Sequence, residues 1–396
     1  MSPTDARLRD VAAAAVRLAP ELDALSRRIH AHPEVGFMEV QAAAWLAEYL
    51  ERHGYTVERE AGGVTTAFRA TLGTGDGPTV ALVAEYDALP GVGHGCGHNL
   101  IAAAAAGAGA ILAAVRGGPA PGRVRVIGTP AEEGGGGKVA LLEAGVFRGV
   151  DAALMIHPLS RTRISEDLLG RRKLTVEFFG KPAHAAAYPD AGVNALDAII
   201  LHFQGLSAMR QQLRPSARIH GIITHGGDAA NIIPEHTAAV FYVRALSRDY
   251  LQEVVRRFEA CAQGAAQATG CRVKITPEPF LYEPMRPNRT LSEHFRANLA
   301  AVGIEEDPPP PRPPLASSDV GNVSQAFPTI QPWIGILPPG QPDVPLHTRE
   351  FRDAAATDHA HQRMRAAACA LALTALDVLT DPACLRAARE EFAQAG

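Results

Sequence analysis

The stretch that decides the fold is residues 80–99, which read VALVAEYDALPGVGHGCGHN. It begins with a continuous apolar run, 80–84, which is typical of a strand buried on both faces of a sheet. A glycine-rich segment follows, in which Cys96 and His98 stand two residues apart. Glycine allows tight backbone conformations that direct neighbouring side chains at one point. Because zinc and similar cations accept sulfur and nitrogen ligands together, the stretch predicts half of a metal site at a strand end.

The overall composition indicates a well-packed protein of two domains, or of one large domain with an insertion. The chain has 396 residues, of which 47% are hydrophobic and 20% are charged. A formal net charge of -4 provides no basic patch, so we expect no nucleic-acid partner.

The cysteines and the chain start predict a cytoplasmic protein. Five scattered cysteines do not form a disulfide framework, which favours a reducing compartment. The first five residues contain an acid and no apolar core, so they do not read as a secretory signal. The alanine-rich run 101–115 is short for a membrane span and contains two glycines, which predicts a buried helix and no membrane partner.

The first part of the chain alternates between strands and helices. Helical periodicity covers 8–29, 40–53, 101–115 and 138–144, and β-rich segments cover 65–72, 79–84, 124–128 and 152–156. Such alternation, with apolar strands, predicts an α/β sheet covered on both faces.

The pattern changes near Arg171 to the order β-α-β-β-α-β, which is typical of a ferredoxin-like unit. The predicted elements are 174–179, 194–213, 218–225, 238–245, 251–267 and 273–276. A proline-rich segment, 307–314, a strand, 333–337, and a long helix, 357–379, follow. We therefore expect an inserted domain at 173–283 between two parts of a first domain, 1–172 and 284–396.

Further candidate ligands lie at the ends of other predicted strands. Glu132 and Glu133 follow one strand and precede a glycine-rich loop, and His157 and His347 follow two others. Alone, the acidic pair reads as a solvated turn, and each histidine as a structural residue. Because the carboxyl ends of strands in one sheet meet at one edge, the set together predicts a site for two metal ions with a shared ligand.

At this point the chain resembles the dinuclear metallohydrolases related to carboxypeptidase G and aminoacylase. It is most similar to the amidohydrolases that include hippurate hydrolase, indole-acetyl amino acid hydrolase and aminobenzoyl-glutamate hydrolase. The ordered motifs run nearly end to end and lie at 29–37, 87–90, 95–99, 130–134, 180–185, 231–234 and 345–348. The resemblance implies a mixed-sheet metallopeptidase catalytic domain, of the phosphorylase/hydrolase-like class, with an inserted ferredoxin-like lid and dimerisation domain.

The resemblance also implies a role for each matching residue. The positions that match metal ligands are Cys96, His98, Glu133, His157 and His347, with the thiolate of Cys96 bridging. Glu132 matches the general base, and Asp87 matches an acid that supports a ligand histidine. His184 matches a histidine that stabilises the oxyanion in a partner subunit's site, which implies a homodimer formed through the inserted domain. Asn231 and Arg244 lie where the family binds substrate carboxylate or carbonyl groups.

Each of these assignments has a plainer alternative, and the chain departs from the common pattern. His184 reads equally as a surface histidine, Arg244 as a solvated strand-end charge, and Asp87 and Asn231 as turn residues. Asn99 replaces the usual aspartate after the ligand histidine, and Glu85 stands in a sequence that is usually Asp-Met-Asp. The segment 317–324 is closer to the dipeptidase-like branch, which resembles aminobenzoyl-glutamate hydrolase and mammalian β-alanyl-lysine dipeptidase.

The expected function is metal-dependent hydrolysis of the amide bond in an N-acyl amino acid or a dipeptide. The donor set favours two divalent ions, with zinc first and manganese, cobalt or nickel as competitors. Two other functions stay open: a catalytically silent metal- or substrate-binding protein on the same fold, and a nucleophilic Cys96–His98 pair, which would need separate orienting partners.

Overall fold

The computed structural model describes residues 3–73, 76–115, 122–165, 167–310 and 315–394. The chain forms two compact units. Unit 1 comprises Met1–Glu166, Arg286–Pro313 and Asn322–Gly396, and unit 2 comprises Asp167–Met285 and Pro314–Gly321. The predicted insertion, 173–283, falls inside the longer segment of unit 2. The return of 314–321 to unit 2 was not predicted, and residues 311–314 of the proline-rich segment lie outside the described residues.

The strands of the described residues are β1 (Thr56–Arg59), β2 (Phe68–Leu72), β3 (Thr79–Glu85), β4 (Arg123–Thr129), β5 (Ala152–Leu154), β6 (His157–Leu159), β7 (Gly170–Phe179), β8 (Arg218–His225), β9 (His236–Ala245), β10 (Arg272–Pro277), β11 (Thr329–Ile330) and β12 (Trp333–Gly335). The α-helices are α1 (Pro3–Ala31), α2 (Val40–Arg52), α3 (His98–Val115), α4 (Gly137–Glu143), α5 (Ala195–Arg210), α6 (Arg248–Thr269), α7 (Arg289–Ala301), α8 (Val320–Ala326), α9 (Arg349–Ala354), α10 (Asp358–Thr380) and α11 (Pro382–Gln394).

Unit 1 is built on a six-stranded mixed sheet in the order β1-β2-β4-β3-β5-β11. The first two pairings are antiparallel and the other three are parallel. Every residue of β3 is buried, as its continuous apolar sequence predicts. The prediction of a mixed sheet is confirmed, and the carboxyl ends of β3 and β4 lie side by side, with Glu85 opposite Thr129.

Helix α3 is the buried core helix that its alanine-rich sequence predicts. Its mean hydropathy of 1.6 over 18 residues would be enough for a membrane span, but 83% of that window is buried inside the protein. The bent pair of α10 and α11 passes the same test of length and composition. Small side chains allow α3 to pack closely against its neighbours: a Cβ at Gly107 would lie 2.8 Å from Leu22 of α1.

Two predicted positions need correction. His157 does not end β5, which stops at Leu154; it begins β6, which pairs in parallel with β12 in a separate two-stranded sheet. His98 does not lie on the glycine loop but is the first residue of α3.

Unit 2 is a four-stranded antiparallel sheet, in the order β10-β7-β9-β8, with α5 and α6 packed against it. Alternate residues of β9 are buried, which is the period of a sheet with one covered face. The helices begin at side-chain caps: Asn194 accepts a hydrogen bond from Leu196 N, and Ser247 accepts one from Tyr250 N.

Candidate metal centre

The loop before α3 positions Cys96 under tight backbone constraints. Gly97 has φ +75°, and a Cβ there would lie 2.8 Å from the ring of Pro158, so glycine is required for both conformation and space. Cys96 is buried, and its Sγ lies 3.5 Å from His157 Nε2. Burial, together with the charge of Glu133, raises the pKa of the Cys96 thiol well above its usual value. A bound cation is what would favour the thiolate in such a place.

Asp87 orients two of the predicted ligands at once. His98 Nδ1 donates to Asp87 Oδ1 at 2.9 Å, and the backbone N–H of Glu133 donates to Asp87 Oδ2 at 3.0 Å. Burial alone would raise the pKa of Asp87, but His98 and these hydrogen bonds hold it below its usual value. A carboxylate on one imidazole nitrogen is how proteins direct the other nitrogen at a metal. Asp87 therefore contacts one predicted ligand through its ring and another through its backbone, which is the placement that a supporting residue needs.

The two glutamates of the 130–137 loop follow β4. Glu132 is buried and Glu133 is largely buried, with a side chain 13% exposed. The preceding residue, Ala131, has the left-handed φ of 57°, which is uncommon for a residue other than glycine. Its N–H donates to the buried carboxylate of Glu39 at 2.8 Å. Burial raises the pKa of Glu39 to about 7.

His157 is held by its own backbone and by an aromatic ring. Its Nδ1 donates to the carbonyl of Pro158 at 2.8 Å, and its ring centroid lies 4.7 Å from that of Trp333. The pKa of His157 is lowered to about 4, first by burial and then by the nearby His98. At neutral pH His157 is therefore uncharged, and its Nε2 carries a lone pair that is directed at Cys96.

His347 comes from the loop before α9 rather than from a strand end. It has φ 66°, and its backbone N–H donates to Gly95 O at 2.9 Å, so it is fixed against the Cys96 loop. Its Nε2 lies 3.4 Å from Glu133 Oε2. With 54% of its side chain exposed, it lies on the solvent side of the site.

The predicted ligand atoms converge in groups whose members lie within 4.8 Å of one another. The three groups are Cys96 with His98 and His157, Cys96 with Glu133 and His347, and His98 with Glu132 and Glu133. Neither His98 Nε2 nor Glu133 Oε1, 3.8 Å apart, makes a hydrogen bond of normal geometry to any residue that the structure describes. Two buried polar atoms without such hydrogen bonds are suited to bind a cation placed between them.

The three predicted residues of unit 2 do not form one cluster. His184 and Asn231 lie in neighbouring segments, joined by a hydrogen bond from Ala185 N to Asn231 O at 2.9 Å. Arg244 lies eight residues beyond the first residue of β9, about 27 Å along the strand. Its guanidinium donates to Ser317 Oγ at 3.0 Å.

The tautomer of His184 follows from its local contacts. His184 is exposed, and its Nδ1 accepts from the backbone N–H groups of Ala186 and Ala187 at 3.3 and 3.2 Å. In the neutral imidazole the proton is then on Nε2, which makes that atom a donor.

Sequence reasoning missed three supporting residues. Glu39 holds the turn before Glu132, Trp333 packs on His157, and Lys138 forms a buried ion pair with Glu85. The available signal for the last was a lysine directly after four glycines, within the otherwise apolar start of α4.

Comparisons with known proteins identify the family of the chain. Residues 81–356 match the model of "Peptidase family M20/M25/M40". The chain is 41% identical over 390 residues to Xaa-Arg dipeptidase of Mus musculus, covering 94% of this chain and 89% of that protein. It is 31% identical over 448 residues to a subunit of p-aminobenzoyl-glutamate hydrolase from Escherichia coli, with coverages of 93% and 91%.

The fold also matches a solved structure, a dinuclear metal-binding peptidase of family M20 from Bacillus subtilis. The TM-score is 0.67 at 22% identity, with 92% of this chain and 99% of that chain covered. The chain therefore belongs to peptidase family M20/M25/M40 and is a metal-dependent hydrolase of amide C–N bonds.

Proposed function

We propose that the protein is a dipeptidase that cleaves dipeptides with a C-terminal arginine by means of two zinc ions. The observation that carries the chemistry is the pair of donor groups that share Cys96 and lie beside Glu132. The substrate class comes from the relative named Xaa-Arg dipeptidase, which is 41% identical along nearly the whole chain.

The ligand residues would divide between two ions. His98 and His157 would hold one ion, Glu133 and His347 the other, and Cys96 would bridge them. One sulfur, three imidazoles and a carboxylate suit zinc by ligand softness. When bound, such ions polarise a carbonyl and lower the pKa of a water near them.

Glu132 would move the proton. Its carboxylate lies in the same group as His98 and Glu133, next to the place where the attacking water would be held. We infer that Glu132 takes a proton from this water and delivers it to the departing nitrogen. Its buried position excludes bulk water from that transfer.

His184 would stabilise the oxyanion through its Nε2–H. The loops that carry His184 and Asn231 adjoin the first residue of β9, whereas Arg244 is near the other end of that strand. We therefore infer that a single copy of unit 2 does not present all three residues at one point. We infer that Arg244 binds the substrate carboxylate. His184 and Asn231 would serve the site of a second copy.

The edge of unit 2 supports a homodimer of this kind. Strand β8 lies at the edge of the sheet and exposes Ile222 (67%) and Ile223 (41%). Helix α5 lies alongside, since its Arg210 donates to Ile219 O of β8 at 3.0 Å, and it exposes Ile200 and Leu201. Unpaired edge strands and apolar patches are typical of surfaces that associate.

The test of function is hydrolysis of a substrate panel before and after metal stripping, with zinc, manganese, cobalt or nickel added back singly. The panel holds Ala-Arg, Ala-Lys, Ala-Ala, p-aminobenzoyl-glutamate and hippurate. Cleavage of Ala-Arg that disappears with the chelator and returns with zinc supports the proposal. Preference for p-aminobenzoyl-glutamate would assign the activity of the second relative instead. Stoichiometric metal without turnover on any member would favour a silent binding protein.

The test of assembly is sedimentation of the wild type and of Ile222→Lys. We expect a dimer that the added charge converts to a monomer with lost activity, because His184 then has no partner site. A wild-type monomer that is fully active would contradict both the dimer and the role of His184.

A further inference from the structure

A buried ion pair lies directly beside the metal centre. Lys138 Nζ is 2.5 Å from Glu85 Oε1, and both side chains are 0% exposed. The chain has only four lysines, so a fully buried one is not a consequence of abundance. Glu85 is the last residue of β3, and Lys138 is the second residue of α4.

The pair closes one end of the loop that carries Glu132 and Glu133. At the other end, Asp87 Oδ2 accepts from the Glu133 N–H at 3.0 Å. Glu85 and Asp87, at the end of β3, thus hold the chain on both sides of the four glycines 134–137. Glycine loses more conformational freedom than other residues when it is fixed, so this loop needs such anchors.

The loop also has little room for another shape. A Cβ at Gly137 would lie 1.8 Å from Pro130 O, so the beginning and the end of the segment are in close contact. Gly136, with φ +66°, precedes α4 in a left-handed conformation. A displacement of Lys138 would therefore be transmitted directly to the glutamates.

Charge gives the pair a second role. The other oxygen of Glu85, Oε2, lies 3.7 Å from His98 Nε2, the nitrogen directed at the metal. Without Lys138, a buried and unneutralised carboxylate would compete for that nitrogen and repel Asp87 and Glu133. Lys138 is also among the charges that hold the pKa of Asp87 low. Since a buried ion pair is seldom more stable than an apolar replacement, stability alone does not explain this one.

We propose that Glu85 and Lys138 are positioning residues, whose ion pair fixes the glycine loop 134–137 and the direction of the Glu85 carboxylate. With both fixed, His98 and Glu133 keep their metal-binding geometry and Glu132 keeps its proton-transfer geometry. The inference rests on the proposed metal centre but not on the identity of the substrate.

The test compares Lys138→Met, Glu85→Gln and the double variant with the wild type, with Lys274→Met as the matched control. Lys274 lies in unit 2, with 59% of its side chain exposed, and it forms an ion pair with Glu177 at 3.6 Å. Zinc affinity is measured by competition with a chromogenic chelator, and loop order by deuterium uptake of 130–138 in the metal-free protein. The kinetic constants kcat and KM are taken at saturating metal.

We expect each single variant to lose about 10- to 100-fold in zinc affinity and to take up deuterium faster in the loop. At saturating metal kcat should fall with KM nearly unchanged, because Glu132 is misplaced while the substrate contacts remain. The double variant should recover most of each loss, since no unpaired charge is left. Lys274→Met should match the wild type.

Single variants with wild-type zinc affinity and loop uptake would overturn the inference, even if they unfold more easily. A double variant no better than the worse single variant would also overturn it. If Lys138→Met does not fold, Glu85→Gln and the double variant carry the same comparison. Zinc affinity and loop order are measured without substrate. If the wild type binds zinc but cleaves no substrate, and the variants bind zinc more weakly, this inference holds and only the proposed function is refuted.

Discussion

The two units have interiors of opposite character. The interior around the metal centre of unit 1 is rich in buried ionisable groups, namely Glu85, Asp87, His98, Glu132 and Lys138. The interior of unit 2 is a continuous apolar cluster of sheet and helix residues, among them Val176, Phe178, Ile199, Phe241 and Phe258. One imidazole, His202, is buried in it.

This difference distinguishes the interactions that stabilise the fold from the groups that support catalysis. In unit 2 the apolar side chains remove their own surface from water, which needs no further partner. Around the metal centre, His98 Nε2 and Glu133 Oε1 face one another without a hydrogen bond of normal geometry to any described residue, which a fold alone would not favour. Such local conflict is expected at functional sites.

The largest effect should come from Glu132→Gln, which removes the proposed proton carrier and keeps its shape. We expect kcat to fall by about 100- to 10,000-fold. Metal content, measured by elemental analysis, should stay at the wild-type value because Glu132 is not among the proposed ligands. Glu143→Gln, an exposed residue of the nearby helix α4, is the control. A Glu132→Gln enzyme with normal metal content and near-normal turnover would refute the assignment.

The apolar interior of unit 2 can be disrupted in turn with Phe258→Ala. This ring is fully buried and lies 5.0 Å from Phe241 and 4.8 Å from His202, measured between centroids. The cavity should lower the free energy of unfolding of unit 2 by about 3–5 kcal/mol in urea denaturation. Phe258→Leu should cost much less, since it keeps most of the volume. Because every proposed ligand is in unit 1, stoichiometric metal should persist; loss of metal at low temperature without urea would show that the two interiors are coupled.

A smaller effect is expected from Asp87→Asn. Asp87 accepts from His98 Nδ1 and from Glu133 N with its two oxygens, but asparagine offers only one acceptor oxygen. One donor would then face an amide NH₂, and zinc affinity should fall by about 10- to 100-fold. Asp151→Asn is the matched control, because Asp151 Oδ2 accepts from Thr79 N at the opposite end of β3. Equal losses of zinc affinity in both variants would show a general effect of strand β3 rather than orientation of the ligands.

Local patterns account for most of what could be predicted. The apolar run before Glu85 indicates a buried strand, and helix α6 follows its periodicity, because both signals are contained within one element. The apolar run 152–156 reads as one strand, but β5 ends at Leu154 and the short strand β6 begins at His157, with Pro158 opposite Ile334. A proline is tolerated there because β6 has a single partner strand among the described residues.

Long-range pairings account for what was missed. Nothing in the neighbourhood of Glu85 identifies Lys138 as its partner, since the two meet only when β3, β4 and α4 have assembled. The same holds for Glu39 and Ala131, and for the return of 314–321 to unit 2. The motifs identified which side chains carry chemistry, but the supporting contacts depend on tertiary structure.

The smallest predicted effect concerns His202, whose imidazole is buried in the apolar interior of unit 2. Burial among the rings of Phe178, Phe241 and Phe258 lowers its pKa to about 4, against an opposing backbone interaction with Cys261. The unfolded chain, with an ordinary pKa near 6.5, binds the proton first as the pH falls. The stability that His202 contributes is therefore complete above pH 6.5 and is lost between about pH 6.5 and 4.

The variant His202→Phe isolates this contribution, because a phenyl ring keeps the packing and cannot titrate. Between pH 7.5 and 5 the wild type should lose about 2 kcal/mol more free energy of unfolding than the variant, measured by urea denaturation of the metal-free protein at each pH. Metal-free protein is required because metal binding is itself pH-dependent and would add its own share to the measured stability. Parallel curves for the two proteins would mean that His202 takes up its proton as readily in the folded state as in the unfolded state. The contrast between the apolar interior of unit 2 and the charged one of unit 1 would then be lost.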